Sequence, residues 1–204
     1  MIDPFQITNY ARSDEDLQEF WLFCLAVAGK TATQMAKKVD DFLQIRKTPN
    51  NLFRHFDHFD WITAVGGSFA NHGLVSALTQ VKMGKYGLLT KGYLESARRG
   101  TLYFRTASAD DIAADIPGAG LKTSRFFTLH SRLNEQVAVI DTHMLKYLRQ
   151  MGVAGVPDTI PTGKKYLALE KILLAEAAKK QMAMADFDLA IWSHYASGGK
   201  SALP

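Results

Sequence analysis

Along most of this chain apolar residues recur at three- and four-residue steps, the spacing that lines one face of a helix. Leu17, Phe20, Trp21, Cys24, Leu25 and Ala28 follow it behind Ser13 and Asp16, which read as a helix start, and Gly29 ends the pattern. Thr31 or Thr33 opens a second helix through Met35, Val39, Phe42 and Leu43. Lys47 to Asn51 is a polar loop, and Leu52 to Ile62 is an aromatic-rich amphipathic segment in which His55 and His58 are partly exposed. Gly66-Gly67, Gly73, Gly84 and Gly87 punctuate the middle, with helices predicted over Leu74 to Val81 and Leu88 to Arg98. After a rigid loop from Gly152 to Pro161, Thr162 or Gly163 opens a helix through Tyr166, Leu169, Ile172, Leu173 and Ala177. Ala183 to Tyr195 carries another, and only Gln136 to Ile140 reads as strand. The pattern predicts an all-α fold.

The densest patterning lies between Ala109 and Gln150. Ser108 with Asp111 is a capping-box-like start, and Ile112 and Ile116 give a short helix its apolar face. Pro117 stops that helix, because the residue before a proline is pushed towards extended geometry. Gly118 and Gly120 permit a turn in which backbone N–H groups converge, and a helix from Leu121 to Arg132 begins at once. Amides gathered at a glycine turn and a helix N-terminus form an anion site that needs no side chain, so a phosphate is the natural ligand. The same residues also suit a plain helical corner. Lys122 sits in the first turn, where the positive end of the helix dipole disfavours an ammonium, which makes it a candidate amine nucleophile. Nineteen residues later Asp141 follows the apolar run Val137 to Ile140 and reads as the N-cap of the helix after it, a carboxylate accepting amide bonds. A cap accounts for Asp141 alone and a solvated position for Lys122 alone. Neither accounts for hairpin, lysine and acid together.

Ile116-Pro117-Gly118-Ala119-Gly120, Lys122-Thr123 and Val139-Ile140-Asp141-Thr142-His143 resemble the signature of the helix-hairpin-helix DNA glycosylases, and within that superfamily the 8-oxoguanine glycosylase-like proteins. The motif covers about a fifth of the chain, with weaker similarity over most of the rest. The resemblance implies two helical lobes, residues 32–150 forming the central one and 1–31 packing with 151–204 as the other, and an active site in the cleft between them. It implies Lys122 as nucleophile of a bifunctional glycosylase/lyase acting on a flipped purine, 8-oxoguanine first, and Asp141 as the catalytic carboxylate. Gly118, Gly120, Thr123 and His143 are the implied phosphate contacts, with a monovalent cation at the hairpin carbonyls. Gly29-Lys30-Thr31 corresponds to the loop that enters the gap left by the flipped nucleotide or contacts its partner base; Lys30 reads equally as an exposed loop lysine. Tyr86 to Leu89 lies where relatives place a wedge. Asp188 and Trp192, four apart on one helix face, match a polar and an aromatic residue that bond and stack the flipped purine. Their alternative is Trp192 in the core and Asp188 solvated or capping. Double-stranded DNA is the implied partner of a monomer, and a non-catalytic DNA-binding module or a glycosylase for another modified base would share these features.

Composition narrows the classes further. A chain of 204 residues, 47% hydrophobic and 22% charged, has enough apolar material for one or two packed units. No apolar run is long enough to span a membrane and no signal-peptide pattern opens the chain, so a soluble intracellular protein is expected. The single cysteine, Cys24, excludes an internal disulfide and the four-cysteine iron-sulfur cluster that some endonuclease III-like relatives carry. His55 and His58 offer at most two ligands, so they predict no metal site, and beyond the hairpin cation no cofactor is predicted. A formal charge of +4 and a pI near 9.1 permit nucleic-acid binding without requiring it. The positive residues gather at Lys82, Lys85, Lys91, Arg98, Arg99 and Arg105, then at Lys122, Arg125 and Arg132.

Overall fold

Ser13 starts the first helix as its spacing predicts, its hydroxyl accepting the amide of Asp16 at 3.2 Å. In the computed structural model, which describes residues 1–4, 6–49, 51–67 and 72–204, ten α-helices follow one another: α1 (Asp14–Val27), α2 (Ala32–Gln44), α3 (His58–Gly67), α4 (His72–Gln80), α5 (Tyr86–Thr106), α6 (Ala109–Asp115), α7 (Leu121–Ser131), α8 (Thr142–Gln150), α9 (Gly163–Lys179) and α10 (Met184–Ala196). Asn50 of the predicted polar loop lies outside the described residues. Among those described, no strand forms and no helix is long and apolar enough to cross a membrane.

Two hydrophobic cores share the helices. The first gathers α1 to α6 and the front of α7 around Phe20, Trp21, Phe104 and Phe127, with ring centres 4.7 Å apart for Trp21–Phe104 and 5.0 Å for Trp21–Phe127. The second joins Leu129, residues 138–140, α8, α9 and α10. Helix α7 belongs to both, because Phe127 faces one core, Leu129 the other, and Phe126 packs against each. This division departs from the expected grouping of 1–31 with 151–204. Helix α1 packs on α2, α3, α5 and α7, whose apolar faces close most of a core to which α10 adds the partly buried Leu189. The buried hydroxyls of α7, on Ser124, Thr128 and Ser131, bond back to carbonyls of their own helix, which satisfies them without a partner helix.

Three further expectations change. Leu52 to Phe56 forms turns, and α3 begins only at His58 because Asp57 caps it, accepting the amide of Asp60 at 2.8 Å. His58 is buried, not partly exposed: Arg46 Nε donates to its Nδ1 at 3.2 Å, and burial, followed by the charge of Arg46, pushes it down to about 3, so the ring is neutral and accepts. Helix α5 runs past the predicted Arg98 to Thr106 with a break at Gly100, φ 73° and ψ 170°, after which Phe104 enters the first core. Gln136 to Ile140 is extended but pairs with no strand. Helix α9 supplies its partners instead, Glu170 Oε1 accepting the amide of Ala138 at 2.9 Å while the Tyr166 hydroxyl accepts from Ile140 at 2.9 Å and donates to Ala138 O at 3.1 Å. A buried backbone needs its polar groups satisfied, and side chains do that here as well as a neighbouring strand would.

Candidate active site

The hairpin forms where glycine and proline place it. Ser108 and Asp111 complete a capping box at α6, Ile116 ends that helix in extended geometry, and Gly118 turns the chain at φ +88°, a region that side chains avoid. Gly120 precedes α7 with no side chain to cap it, so the first-turn amides of α7 remain open to a ligand beside the exposed Gly118. Helix α5 lies directly against this turn: a Cβ at Gly92 would stand 2.5 Å from Pro117 O. Of the expected wedge stretch, Leu89 is buried, whereas Leu88 is exposed beside Gly118.

Next to the hairpin a cavity of about 660 Å³ opens between the two cores. Lys122, one residue inside α7, lines it, as does Asp141 at the start of α8. Asp141 caps α8 through a single oxygen, Oδ1, which accepts the amides of His143 and Met144 at 2.8 Å each. Oδ2 stays outside the cap. Asp188 and Trp192 reach the same cavity from α10, and Gly29 and Lys30 reach it from the α1–α2 corner. Four residues of separation along α10 thus put an acceptor and an indole on one wall, as their spacing predicts.

The family described as 8-oxoguanine DNA glycosylase matches residues 1–182. The chain belongs to that family. It is a DNA glycosylase. Solved glycosylase structures share its fold. The 8-oxoguanine DNA glycosylase of Thermotoga maritima superposes with a TM-score of 0.67 at 19% identity, over 97% of this chain and 86% of that one. The Methanocaldococcus jannaschii 8-oxoguanine glycosylase/lyase, in complex with a 15-mer DNA containing 8-oxoguanine, gives 0.68 at 19% identity, over 97% and 88%.

Within the glycosylase the remaining expected site residues fall in three places. Gly118 and Gly120 lie on the exposed hairpin. His143 stands half-buried on α8, its ring stacked on Tyr195 at 5.8 Å and 10°, its Nδ1 buried without a partner. Thr123, expected beside the phosphate site, is nearly buried and lines the cavity, because the face of α7 that it shares turns inwards. Lys30 also lines the cavity, but its ammonium donates to Met83 O, and Lys85 Nζ reaches Ala28 O at 2.7 Å. The two lysines staple the α1–α2 corner to the loop before α5. Burial first, then Lys85 and Lys38, depress the Lys30 ammonium below the usual lysine range.

Several cavity residues escaped the sequence reading. Phe126 lines the wall and stacks edge-on with His130 at 4.8 Å, and His130 Nε2 lies 3.1 Å from Asp188 Oδ2. The signal was present in the helical step, since residues 122, 126 and 130 fall on one face of α7. Ile7 and Pro4 line the cavity from the N-terminal segment, for which no helical pattern exists to give a clue. Cys24 lines it too, its thiol pushed up by burial, which leaves it a poor nucleophile.

Proposed function

We propose that this glycosylase excises a flipped oxidised purine, 8-oxoguanine first, from double-stranded DNA, and that Lys122 then cleaves the strand as a lyase. One observation carries the reading: Lys122, Asp141, Asp188 and Trp192 line a single cavity, and its size is ample for a flipped base. A base stacked in duplex cannot be attacked at its sugar, so it must leave the stack, which costs a few kcal/mol. The uncapped amides at Gly118, Gly120 and the start of α7, with His143 on the next helix, would hold the backbone phosphates and so position the sugar without reading sequence. Leu88, exposed beside Gly118, is the side chain of its stretch suited to fill the gap.

Lys122 as a free amine attacks C1′. The glycosidic bond breaks, its electrons leave with the base, and the base takes up a proton. Opening of the sugar ring leaves a Schiff base on Nζ, from which loss of a C2′ proton expels the 3′ phosphate by β-elimination. Asp141 stabilises the positive charge that develops on the sugar, a role open to it because only Oδ1 is used by the cap. Trp192 stacks the flipped base and Asp188 accepts its N–H groups. The relative from Methanocaldococcus jannaschii, crystallised as a glycosylase/lyase with 8-oxoguanine DNA, supports this choice of substrate and reaction. A monovalent cation would meet hard carbonyl oxygens at the hairpin; those of Ile116 and Gly120 each accept one amide, from Ala119 and Ser124, and keep a second lone pair. It would supply charge for a phosphate.

Borohydride trapping tests the reading. A duplex containing 8-oxoguanine should release the base and leave a covalent adduct with the protein. Release without an adduct would make the enzyme monofunctional. Salt-sensitive DNA binding with neither would reduce it to a binding module.

A further inference from the structure

Thr8 and His130 form a continuous chain behind Asp188, which lines the cavity. The Thr8 hydroxyl lies 2.8 Å from His130 Nδ1, and His130 Nε2 lies 3.1 Å from Asp188 Oδ2. The imidazole is fully buried. Its backbone carbonyl accepts Asn9 N at 3.1 Å and Arg12 Nη1 at 2.8 Å, so the N-terminal segment is docked on the same residue that holds Asp188. Two arrangements put Asp188 Oδ2 and His130 Nε2 in one hydrogen bond and leave Oδ1 free as an acceptor. In one, Nε2–H donates to an Asp188 carboxylate and the Thr8 hydroxyl donates to Nδ1. In the other, a protonated Asp188 donates through Oδ2 to Nε2, and Nδ1–H donates to the Thr8 oxygen. In both, Asp188 Oδ1 carries no proton.

We propose that His130, oriented by Thr8, is a specificity-determining positioning residue: its Nε2 offers an acceptor that draws a proton on Asp188 to Oδ2, so that Oδ1 meets the flipped base as an acceptor. The inference rests on the reading that Asp188 faces that base. Its consequence is selection for purines that carry an N–H donor at N1. Guanine-type bases donate from N1 and N2, whereas adenine-type bases present a bare N1 to the same acceptor.

Such a lock matters because Asp188 is buried. Burial, the largest influence, raises its carboxyl above the ordinary aspartate range; Asp141 at the start of α8 pushes the same way, while His130 and Lys122 of α7 oppose it. Tyr166 of α9 also feels the Asp188 charge. Without the imidazole, a proton taken up by Asp188 is free to sit on Oδ1, and the wall becomes a donor. With the imidazole in place, a proton on Oδ2 has Nε2 as its acceptor.

The test compares dissociation constants for duplexes carrying 8-oxoguanine and 8-oxoadenine, in a Lys122→Gln background so that chemistry consumes neither. Measurements run at pH 6 and pH 8. With Thr8, His130 and Asp188 intact the ratio favours 8-oxoguanine equally at both pH values. His130→Phe should lower it about 10-fold at pH 6 and less at pH 8, the size of one hydrogen bond turned from match to mismatch. Thr8→Val, at a half-buried position that tolerates an isosteric change, should move the ratio in the same direction, and Thr8→Ser should restore it. If His130→Phe fails to fold, Thr8→Val decides. The proposal is overturned if Asp188→Ala shifts the ratio while both relay variants keep the original one. If Asp188→Ala also leaves it unchanged, base reading by Asp188 fails first and the relay with it.

Discussion

The two carboxylates of the cavity are held in opposite ways. Asp141 stands at the start of α8 and takes two amides from the next three residues, so the chain that carries it also places it. Asp188 sits inside α10, past the first-turn amides of that helix, and its partner His130 comes from a helix 58 residues earlier. A charge at a helix start is stabilised locally. A charge in the middle of a buried helix must be met by another element, and that requirement ties the wall of the cavity to the packing of both cores. The chemistry end is thereby local and the recognition end is assembled.

The strongest way to break the local end is Lys122→Gln, which should abolish base release and borohydride trapping while DNA binding stays measurable, because the phosphate contacts come from backbone amides. Retained trapping in the purified variant would move the nucleophile to another lysine, Lys30 first. Asp141→Asn separates cap from charge. Asn caps nearly as well as Asp, so thermal stability should hold, yet single-turnover excision should fall by roughly 10²- to 10³-fold. An unimpaired rate would make Asp141 a cap and nothing more.

Gly92→Ala probes how the hairpin is seated. Its Cβ would stand 2.5 Å from Pro117 O, so the variant must push α5 away from the turn, at about 1–3 kcal/mol of stability, and weaken binding to damaged and undamaged duplex alike. Unchanged unfolding and affinity would show that the turn shifts freely. The smallest effect belongs to the assembled end. Because burial raises the Asp188 carboxyl in the folded protein, the folded state holds the proton more tightly than the unfolded chain. Stability from this group is therefore lost as pH rises through its folded value and is regained below the unfolded value of about 4. Asp188→Asn should give a small rise in Tm at pH 7 that disappears towards pH 4, together with weaker binding of 8-oxoguanine duplex. A variant less stable at pH 7 would mean that the pair with His130 outweighs the cost of burial.

How much of this was legible depends on how far each residue reaches. Ser13, Ser108 and Asp141 act within three residues, and their caps stand where the spacing put them. Asp57 is a cap of the same kind that the aromatic run around it concealed. His58 looked like one more half-exposed imidazole because nothing near it announces Arg46, which meets it from the turn after α2. Gly92 gave no sign that a hairpin 25 residues later leaves no room for a side chain. Gln136 to Ile140 had the composition of a strand, and whether it found a strand or a helix beside it was not written within it.

By itself the sequence determined the helices, the hairpin and the positions of Lys122 and Asp141, since periodicity, caps, proline and glycine act through bonds spanning a few residues. Only the tertiary structure decided that α1 builds its core chiefly with its neighbours in the chain, that Tyr166 and Glu170 replace a missing strand, and that Thr8 and His130 meet behind Asp188. Those contacts join segments with no local preference for one another. They form because a buried polar group must find a partner wherever the packed cores bring one within reach.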